Sequence, residues 1–427
     1  MSSKTTPPNN NSSFIKRVIG LLLAFGPGIF AIGYTIGTGS VTAMTVAGSR
    51  FGMQLLWVLF LSCYFSGVLI YVFGKFHLVT GDTALYGFRK HLRFGKILAI
   101  LILIAVSFGQ WNSLMGILGI SSNIIYEILE LNFPALVSYK YYLVLGIAAT
   151  IISVFYGIML IGKYSFFEKL LIIFVSIMGL SFLVSLFFVH PLPQDVVLGL
   201  LPSIPDVAGG KMMVAAFVGT TMAAATFLSR PLFIKGKGWT LADDKQQRND
   251  AILAAILVFV ISGSIMAVAH GALFTNGKTI THVLDMSNTL EPIAGKYAVT
   301  IFFFGTLSAG LSSVFPCLLI APLLLADYQS GKLDTSSRQF RIITLIASLV
   351  ALIGPALGAN PIQIQILSQV FNVFALPAVV LGIILIIHKK GLMGQHRFSS
   401  WVVASLYVAL LFSLIVSYNG VVGIMEM

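Results

Sequence analysis

Residues 26–48 read GPGIFAIGYTIGTGSVTAMTVAG. The stretch is apolar enough to cross a bilayer, yet its centre, IGTGS at 36–40, holds two glycines, and each interior glycine costs a helix about 1 kcal/mol relative to alanine. In lipid no water satisfies a free backbone group, so irregular backbone survives only where it is buried in protein or lines a cavity. The stretch therefore predicts a membrane helix that is interrupted at 36–41, next to a binding site.

The composition indicates an all-α, multi-pass membrane protein. Of the 427 residues, 57% are hydrophobic and only 9% are charged, whereas soluble domains average about 25% charged residues. Apolar stretches long enough to span a hydrocarbon core of about 30 Å recur along the whole chain. They predict about eleven crossings, near 17–47, 52–76, 95–120, 141–162, 165–189, 211–232, 250–274, 296–325, 339–358, 361–388 and 400–424.

The distribution of positive charge predicts the topology. The formal net charge is +12, but most basic residues, Arg230 among them, fall on alternate connections; the exceptions are Arg50, Lys140, Lys211, Lys278 and Lys296. This asymmetry follows the positive-inside rule and places the N-terminus in the cytoplasm. We expect a cell-membrane protein that contacts the lipid bilayer and no nucleic acid. It would have a disordered tail at 1–15 and one transmembrane domain at 16–427; its oligomeric state stays open.

A second interruption is predicted in the sixth crossing, where residues 219–226 read GTTMAAAT. Five crossings separate it from the first interruption, so two five-helix repeats, about 16–190 and 211–388, would have opposite orientations, with an extra helix at 400–424. Interrupted helices at matching positions of inverted repeats indicate a transporter's substrate site. The alternative is that the small residues only let helices pack closely.

Several short motifs resemble the Nramp family of divalent metal-ion transporters. They are GPG at 26–28, QLLW at 54–57, GTLSAGLSS at 305–313, LSQVFNVFALP at 367–377 and GLMG at 391–394. The resemblance spans nearly all predicted crossings. It implies the LeuT-type 5+5 inverted repeat, with helices one and six interrupted, and transport by alternating access.

The same resemblance implies that the usual metal ligands are missing, which makes the chain a divergent member. The family's metal-binding aspartate and asparagine correspond to Gly37 and Ser40, and its thioether ligand corresponds to Ala223. Only the backbone carbonyl at Thr220 would carry over unchanged. A soft sulfur ligand favours transition metals over magnesium and calcium, so its loss implies a changed selectivity.

The remaining candidates are neutral polar groups. We predict a substrate site at Gly37, Thr38, Ser40, Thr220, Ala223, Gln369 and Asn372, with Ser40, Thr220 and Gln369 as the oxygen ligands of a metal. Gly37, Ser40, Ala223 and Gln369 should then line one cavity. The acidic residues fall in loops or near helix ends, as does His270, so proton coupling of the usual kind is not expected.

These observations favour a secondary transporter of a metal cation, with altered selectivity and without proton coupling. Two alternatives remain, a LeuT-type carrier of a small polar non-metal solute and a non-transporting membrane sensor. An enzyme is not expected, because the sequence shows no nucleophile–base pair and no metal cluster. Cys63 and Cys317 lie in apolar segments and form no disulfide framework, and no cofactor is predicted.

Overall fold

The computed structural model describes residues 28–161, 164–189, 191–206, 209–280, 285–331 and 336–426. Within these ranges every regular element is helical. The first half contains α1 (Gly28–Thr35), α2 (Thr38–Phe51), α3 (Leu56–Thr80), α4 (Ala84–His91), α5 (Gly95–Asn132), α6 (Lys140–Ile161), α7 (Tyr164–Val189) and α8 (Pro193–Gly199). The second half contains α9 (Gly210–Thr221), α10 (Ala224–Lys237), α11 (Asp244–Ala272), α12 (Asp285–Ser330), α13 (Arg338–Ala351), α14 (Ile353–Ala356), α15 (Pro361–Phe374), α16 (Leu376–Ile387) and α17 (Ser400–Met425).

Ten helical stretches in the described residues are long and apolar enough to cross a membrane. They match the second to the eleventh predicted crossings, with ends that shift by up to about a dozen residues. The first predicted crossing, 17–47, begins outside the described residues, and its described part forms α1 and α2. The predicted tail at 1–15 also lies outside them.

Both predicted interruptions are present, and each is only two residues long. Ile36 and Gly37 separate α1 from α2, and Met222 and Ala223 separate α9 from α10. Gly37 has extended backbone, with φ −94° and ψ −167°, and the helix resumes at once through the bond from Val41 N to Gly37 O at 3.0 Å. The irregular backbone is therefore shorter than the predicted 36–41 and 219–226.

A third interruption, which we did not predict, lies in the tenth crossing at Ala375. Pro377 has no N–H, so the carbonyl of Val373 loses its usual helical donor. The hydroxyl of Ser417 on α17 donates to that carbonyl at 3.2 Å. Proline chemistry and a hydroxyl from a neighbouring helix together explain the break between α15 and α16.

Loops that the sequence places on the same side of the membrane meet at the same end of the helix bundle. At one end, three basic side chains donate to carbonyls of other connections: Lys235 to Gly331 at 2.7 Å, Arg89 to Gln329 at 3.0 Å, and Lys389 to His91 at 2.6 Å. At the other end lie the pairs Lys140–Glu127, Lys211–Glu426 and His270–Asp195, at 3.4, 2.8 and 2.9 Å. These contacts agree with the predicted alternation for the connections that they join.

One basic residue was placed wrongly by the charge pattern. Arg230 is not a loop anchor; it lies inside α10, only 1% exposed, with Nη1 2.6 Å from Asp250 Oδ2 on α11. The same carboxylate oxygen accepts the backbone N–H of Gly28 at 2.9 Å. A buried arginine is tolerated because it is paired, and this pair joins the start of α1 to α10 and α11.

Candidate substrate site

A small cavity lies between the two helix interruptions. Its volume is about 20 Å³, which holds about one water molecule. The described residues that line it are Tyr34, Gly37, Gly39, Gln110, Ser113, Ile117, Thr220, Ala223, Ser313, Cys317, Gln365, Gln369 and Asn372. The structure thus brings together residues from α1, α2, α5, α9, α12 and α15 with both breaks.

Five of the seven predicted site residues line this cavity, namely Gly37, Thr220, Ala223, Gln369 and Asn372. Thr38 is fully buried and is not among the lining residues. The expectation that Ser40 lines the cavity is wrong. Its hydroxyl lies 3.0 Å from that of Ser262 on α11, because Ser40 sits in the first turn of α2, on the side that packs against α11.

The side chains on one wall of the cavity form a chain of amide hydrogen bonds. Gln110 Nε2 donates to Asn372 Oδ1 at 3.0 Å, and Asn372 Nδ2 donates to Gln369 Oε1 at 3.2 Å. Gln369 and Gln365 both donate to the hydroxyl of Ser113, at 3.4 and 3.0 Å. Within the described chain, Gln365 Oε1 is buried and has no hydrogen-bond partner. One acceptor is therefore available for a donor or a cation.

Gly39 allows the side-chain amides of Gln365 and Gln369 to contact α2, the helix that follows the first break. A Cβ at Gly39 would lie 2.5 Å from Gln369 Nε2 and 2.9 Å from Gln365 Nε2, closer than real side chains approach. Gly39 stands in the first turn of α2, where backbone N–H groups have no partner within the helix. The missing side chain thus brings the amides of α15 against the interrupted end of the first crossing.

Backbone carbonyls released by the breaks accept hydroxyls from the protein itself. Thr220 Oγ1 donates to Thr35 O at 3.1 Å and so connects the two breaks directly. Ser66 Oγ donates to Thr221 O at 2.5 Å. Buried carbonyls without partners are costly, so these hydroxyls stabilise the two interruptions in this conformation.

Sequence reasoning missed several lining residues, including Ser313, Cys317 and Gln365. The four-residue spacing of these side chains could have revealed them. Gln365 precedes Gln369 by four residues, and Cys317 follows Ser313 by four, so each pair shares a helix face. Cys317 Sγ donates to Gln110 Oε1 at 3.3 Å, which places a sulfur atom beside the amide chain.

The cavity wall carries no carboxylate and no imidazole among its described residues. A search of the described chain also finds no group of three histidine, cysteine, aspartate or glutamate side chains that could hold a metal ion. His270 lies elsewhere, at the end of α11, where Nε2 contacts Asp195 Oδ2 at 2.9 Å. A ligand of this cavity would meet neutral oxygens, amide N–H groups and one sulfur.

Comparison with known proteins places this architecture in a family of membrane transporters. The family model described as "Natural resistance-associated macrophage protein-like" matches residues 28–423. The chain belongs to this family, Nramp, as the motifs predicted. It is 26% identical over 424 residues to the divalent metal cation transporter MntH of Vibrio campbellii, covering 96% of this chain and 94% of the relative.

Solved structures of other transporters align with nearly the whole helix arrangement of this chain. A manganese transporter from Eremococcus coleocola aligns with a TM-score of 0.71 at 15% identity, covering 98% of this chain and 89% of that chain. MhsT in complex with L-phenylalanine aligns with a TM-score of 0.67 at 16% identity, covering 93% and 98%. The predicted all-α, LeuT-type fold with interrupted helices one and six is confirmed.

Proposed function

We propose that this protein is a secondary transporter that moves a divalent metal cation across the cell membrane by alternating access. Its selectivity would differ from that of its relatives, and it would not couple transport to protons. The proposal includes a cytoplasmic N-terminus, which the distribution of basic residues supports. The relative from Vibrio campbellii, a divalent metal cation transporter, supports the class of substrate.

The size and lining of the cavity carry the proposal. A volume of about 20 Å³ accepts one dehydrated ion, whereas pockets for drug-sized organic molecules measure about 300–1,000 Å³. Magnesium, calcium and manganese prefer oxygen ligands, and the wall offers amide and hydroxyl oxygens. This conformation therefore suits a bare cation better than an organic solute.

The lining also supports the change in selectivity. Where the family motif has a soft thioether, Ala223 offers only a methyl group, and Gly37 stands in place of a carboxylate. Neutral oxygens bind hard cations without strong preference. We expect weak binding, with less discrimination against magnesium and calcium than a thioether and a carboxylate would give.

Uncoupled transport follows from the same residues. A proton relay within a membrane requires ionisable side chains that face the pathway. The described lining offers no carboxylate or imidazole for that purpose. We expect uptake to respond to the gradient of the metal ion and not to an imposed pH difference.

Proteoliposome uptake tests the proposal directly. Purified protein would be reconstituted around a divalent-sensitive dye, and manganese, magnesium and calcium would be added outside, with and without a pH gradient. Gln369→Leu should abolish uptake because it removes an oxygen from the cavity wall, whereas Gln54→Leu, at an exposed position, should leave uptake unchanged.

Calorimetric titration of the same three ions separates the alternatives. Uptake and binding at millimolar concentration support the proposal. No binding and no uptake of any divalent ion would refute it and favour a carrier of a polar organic solute. Binding without uptake would refute transport and favour a sensor. Uptake that depends on the pH gradient would refute only the absence of proton coupling.

A further inference from the structure

A second cavity, separate from the substrate site, opens on the side of the helix bundle. It lies between α3, α11 and α17 and has a volume of about 460 Å³. Most of its lining is aromatic or aliphatic, and it includes Phe60, Tyr64 and Tyr71 on α3 and Arg248, Ile256 and Phe259 on α11. We refer to it as the lateral groove.

The lateral groove has an aromatic end and a polar end. At the aromatic end the rings of Phe60 and Phe259 meet edge to face, with centroids 5.9 Å apart. The polar end, which we call the mouth, is lined by Tyr71 and Arg248, and there Gln247 Nε2 on α11 donates to Tyr71 O on α3 at 3.2 Å. The groove thus runs along the axes of α3 and α11.

Its length corresponds to one leaflet of a bilayer. Phe60 and Tyr71 mark its two ends on α3, and at 1.5 Å per residue this stretch of helix rises about 16 Å. Arg248 and Phe259 span the same distance on α11. Half of a hydrocarbon core of about 30 Å is about 15 Å, so a groove of this length matches one extended acyl chain.

The only charged side chain in the described lining of the groove stands at its mouth. Arg248 is exposed, and its guanidinium makes no hydrogen bond or ion pair with any described residue. The neighbouring Lys75, by contrast, lies 3.8 Å from Asp244 Oδ2 and contacts the hydroxyl of Tyr71. Arg248 therefore offers an unpaired positive charge at the mouth of the groove.

We propose that the lateral groove binds one anionic phospholipid, with an acyl chain lying along the seam where α3 packs on α11 and the phosphate on Arg248. The walls suit a hydrocarbon chain because the one hydroxyl midway along the groove, that of Tyr64, is already paired with Ser405 at 2.8 Å. Basic pockets between membrane helices on the cytoplasmic side bind anionic head groups. Under the proposed topology, the mouth of the groove faces the cytoplasmic leaflet.

Native mass spectrometry with defined lipids tests this site. Detergent-purified protein would be titrated with phosphatidylglycerol and with phosphatidylcholine of the same acyl chains. Arg248→Ala should weaken phosphatidylglycerol binding about fivefold and leave phosphatidylcholine unchanged. Arg341→Ala is the matched control, since Arg341 is also an exposed arginine in the first turns of a spanning helix and does not line the groove.

A variant that fills the groove provides a second test of the lipid proposal. Ile256→Trp places a large ring on the groove wall, at an exposed position, and should lower the affinity for both lipids. A photoreactive phosphatidylglycerol with a diazirine at the chain end keeps the test valid if that variant does not fold, because it probes the unmodified protein. Labelling near Phe60 and Phe259 supports the proposal. Labelling spread around the bundle, or equal binding by Arg248→Ala and Arg341→Ala, overturns it.

Discussion

Replacing Gly37 by aspartate would restore the carboxylate that the resemblance to the Nramp family implies at this position, but the structure predicts that the single change is destabilising. A Cβ built on Gly37 would overlap Ser313 Oγ and would lie 2.8 Å from Ser313 Cβ. The hydroxyl of Ser313 donates to Gly33 O at 3.2 Å and to Ala309 O at 3.0 Å. Ser313 therefore occupies the space that a side chain at position 37 needs.

The free energy of unfolding follows from this collision. Overpacking a buried site costs typically about 1–3 kcal/mol. Gly37 is the N-cap of α2, with a φ of −94° that any residue adopts, and aspartate caps a helix better than glycine by only a few tenths of a kcal/mol. We therefore expect Gly37→Asp to lose about 1–3 kcal/mol, and Gly37→Ala, which adds the Cβ without a capping group, to lose slightly more.

The double variant Gly37→Asp/Ser313→Gly removes the collision. Glycine within α12 costs about 1 kcal/mol. The free energy of unfolding of the double variant should therefore equal or exceed that of Gly37→Asp alone. The coupling between the two sites should favour the double variant by about 1–3 kcal/mol. Thermal unfolding in detergent of the parent, both single variants and the double variant measures this coupling. Strict additivity of the two changes would refute the steric argument.

The same set of variants tests the chemistry of the cavity. A carboxylate in place of hydrogen supplies the charged oxygen that divalent cations prefer, so manganese should bind the double variant at least tenfold more tightly than the parent protein. Gly37→Ala/Ser313→Gly is the control, because it relieves the same contact without adding charge. Equal manganese affinity in the parent and the aspartate-containing double variant would show that this cavity is not where a cation binds.

Three further variants test other parts of the structure. Thr220→Val should lower the free energy of unfolding by about 1–3 kcal/mol, since it leaves a buried carbonyl without a donor; an unchanged unfolding temperature would contradict this. Arg230→Met should cost about 3–5 kcal/mol because it leaves the buried Asp250 carboxylate without its cation, and adding Asp250→Asn should recover part of that loss; no recovery would count against the pairing. Cys317→Ser should lower cadmium uptake relative to calcium uptake several-fold, as cadmium prefers sulfur, while Cys63→Ser should not; equal ratios in both variants would exclude the sulfur as a ligand.

The helical architecture could be predicted from the sequence because lipid leaves the backbone few choices. Spans of sufficient length and apolarity must be helices, and IGTGS and GTTMAAAT marked the two places where they are interrupted. The break at Ala375 was missed, although Pro377 signalled it, because a proline in a membrane helix does not by itself tell whether the helix bends or stops. Arg230 was misplaced because charge counts cannot show that a distant residue, Asp250, neutralises it.

The substrate site was predicted in part, and the missed part depends on side-chain direction. The breaks located Gly37 and Ala223, and the tenth crossing supplied Gln369 and Asn372. Ser40 was expected at the cavity because it lies beside the break, yet the short interruption lets helix geometry resume at residue 38 and turns its hydroxyl towards α11. Direction around a helix can be predicted only when the end of the irregular backbone is known to the residue.

The interrupted helices persist without the usual carboxylate because the protein supplies its own partners for the released backbone groups. Thr220 holds Thr35 O, and Ser66 holds Thr221 O. A cation that uses the Thr35 carbonyl must share that oxygen with the Thr220 hydroxyl or displace it, so the existing hydrogen bond weakens its binding. We therefore expect weak affinity, and we predict that Gln365 Oε1, buried and without a partner among the described residues, is the oxygen that a cation would contact first.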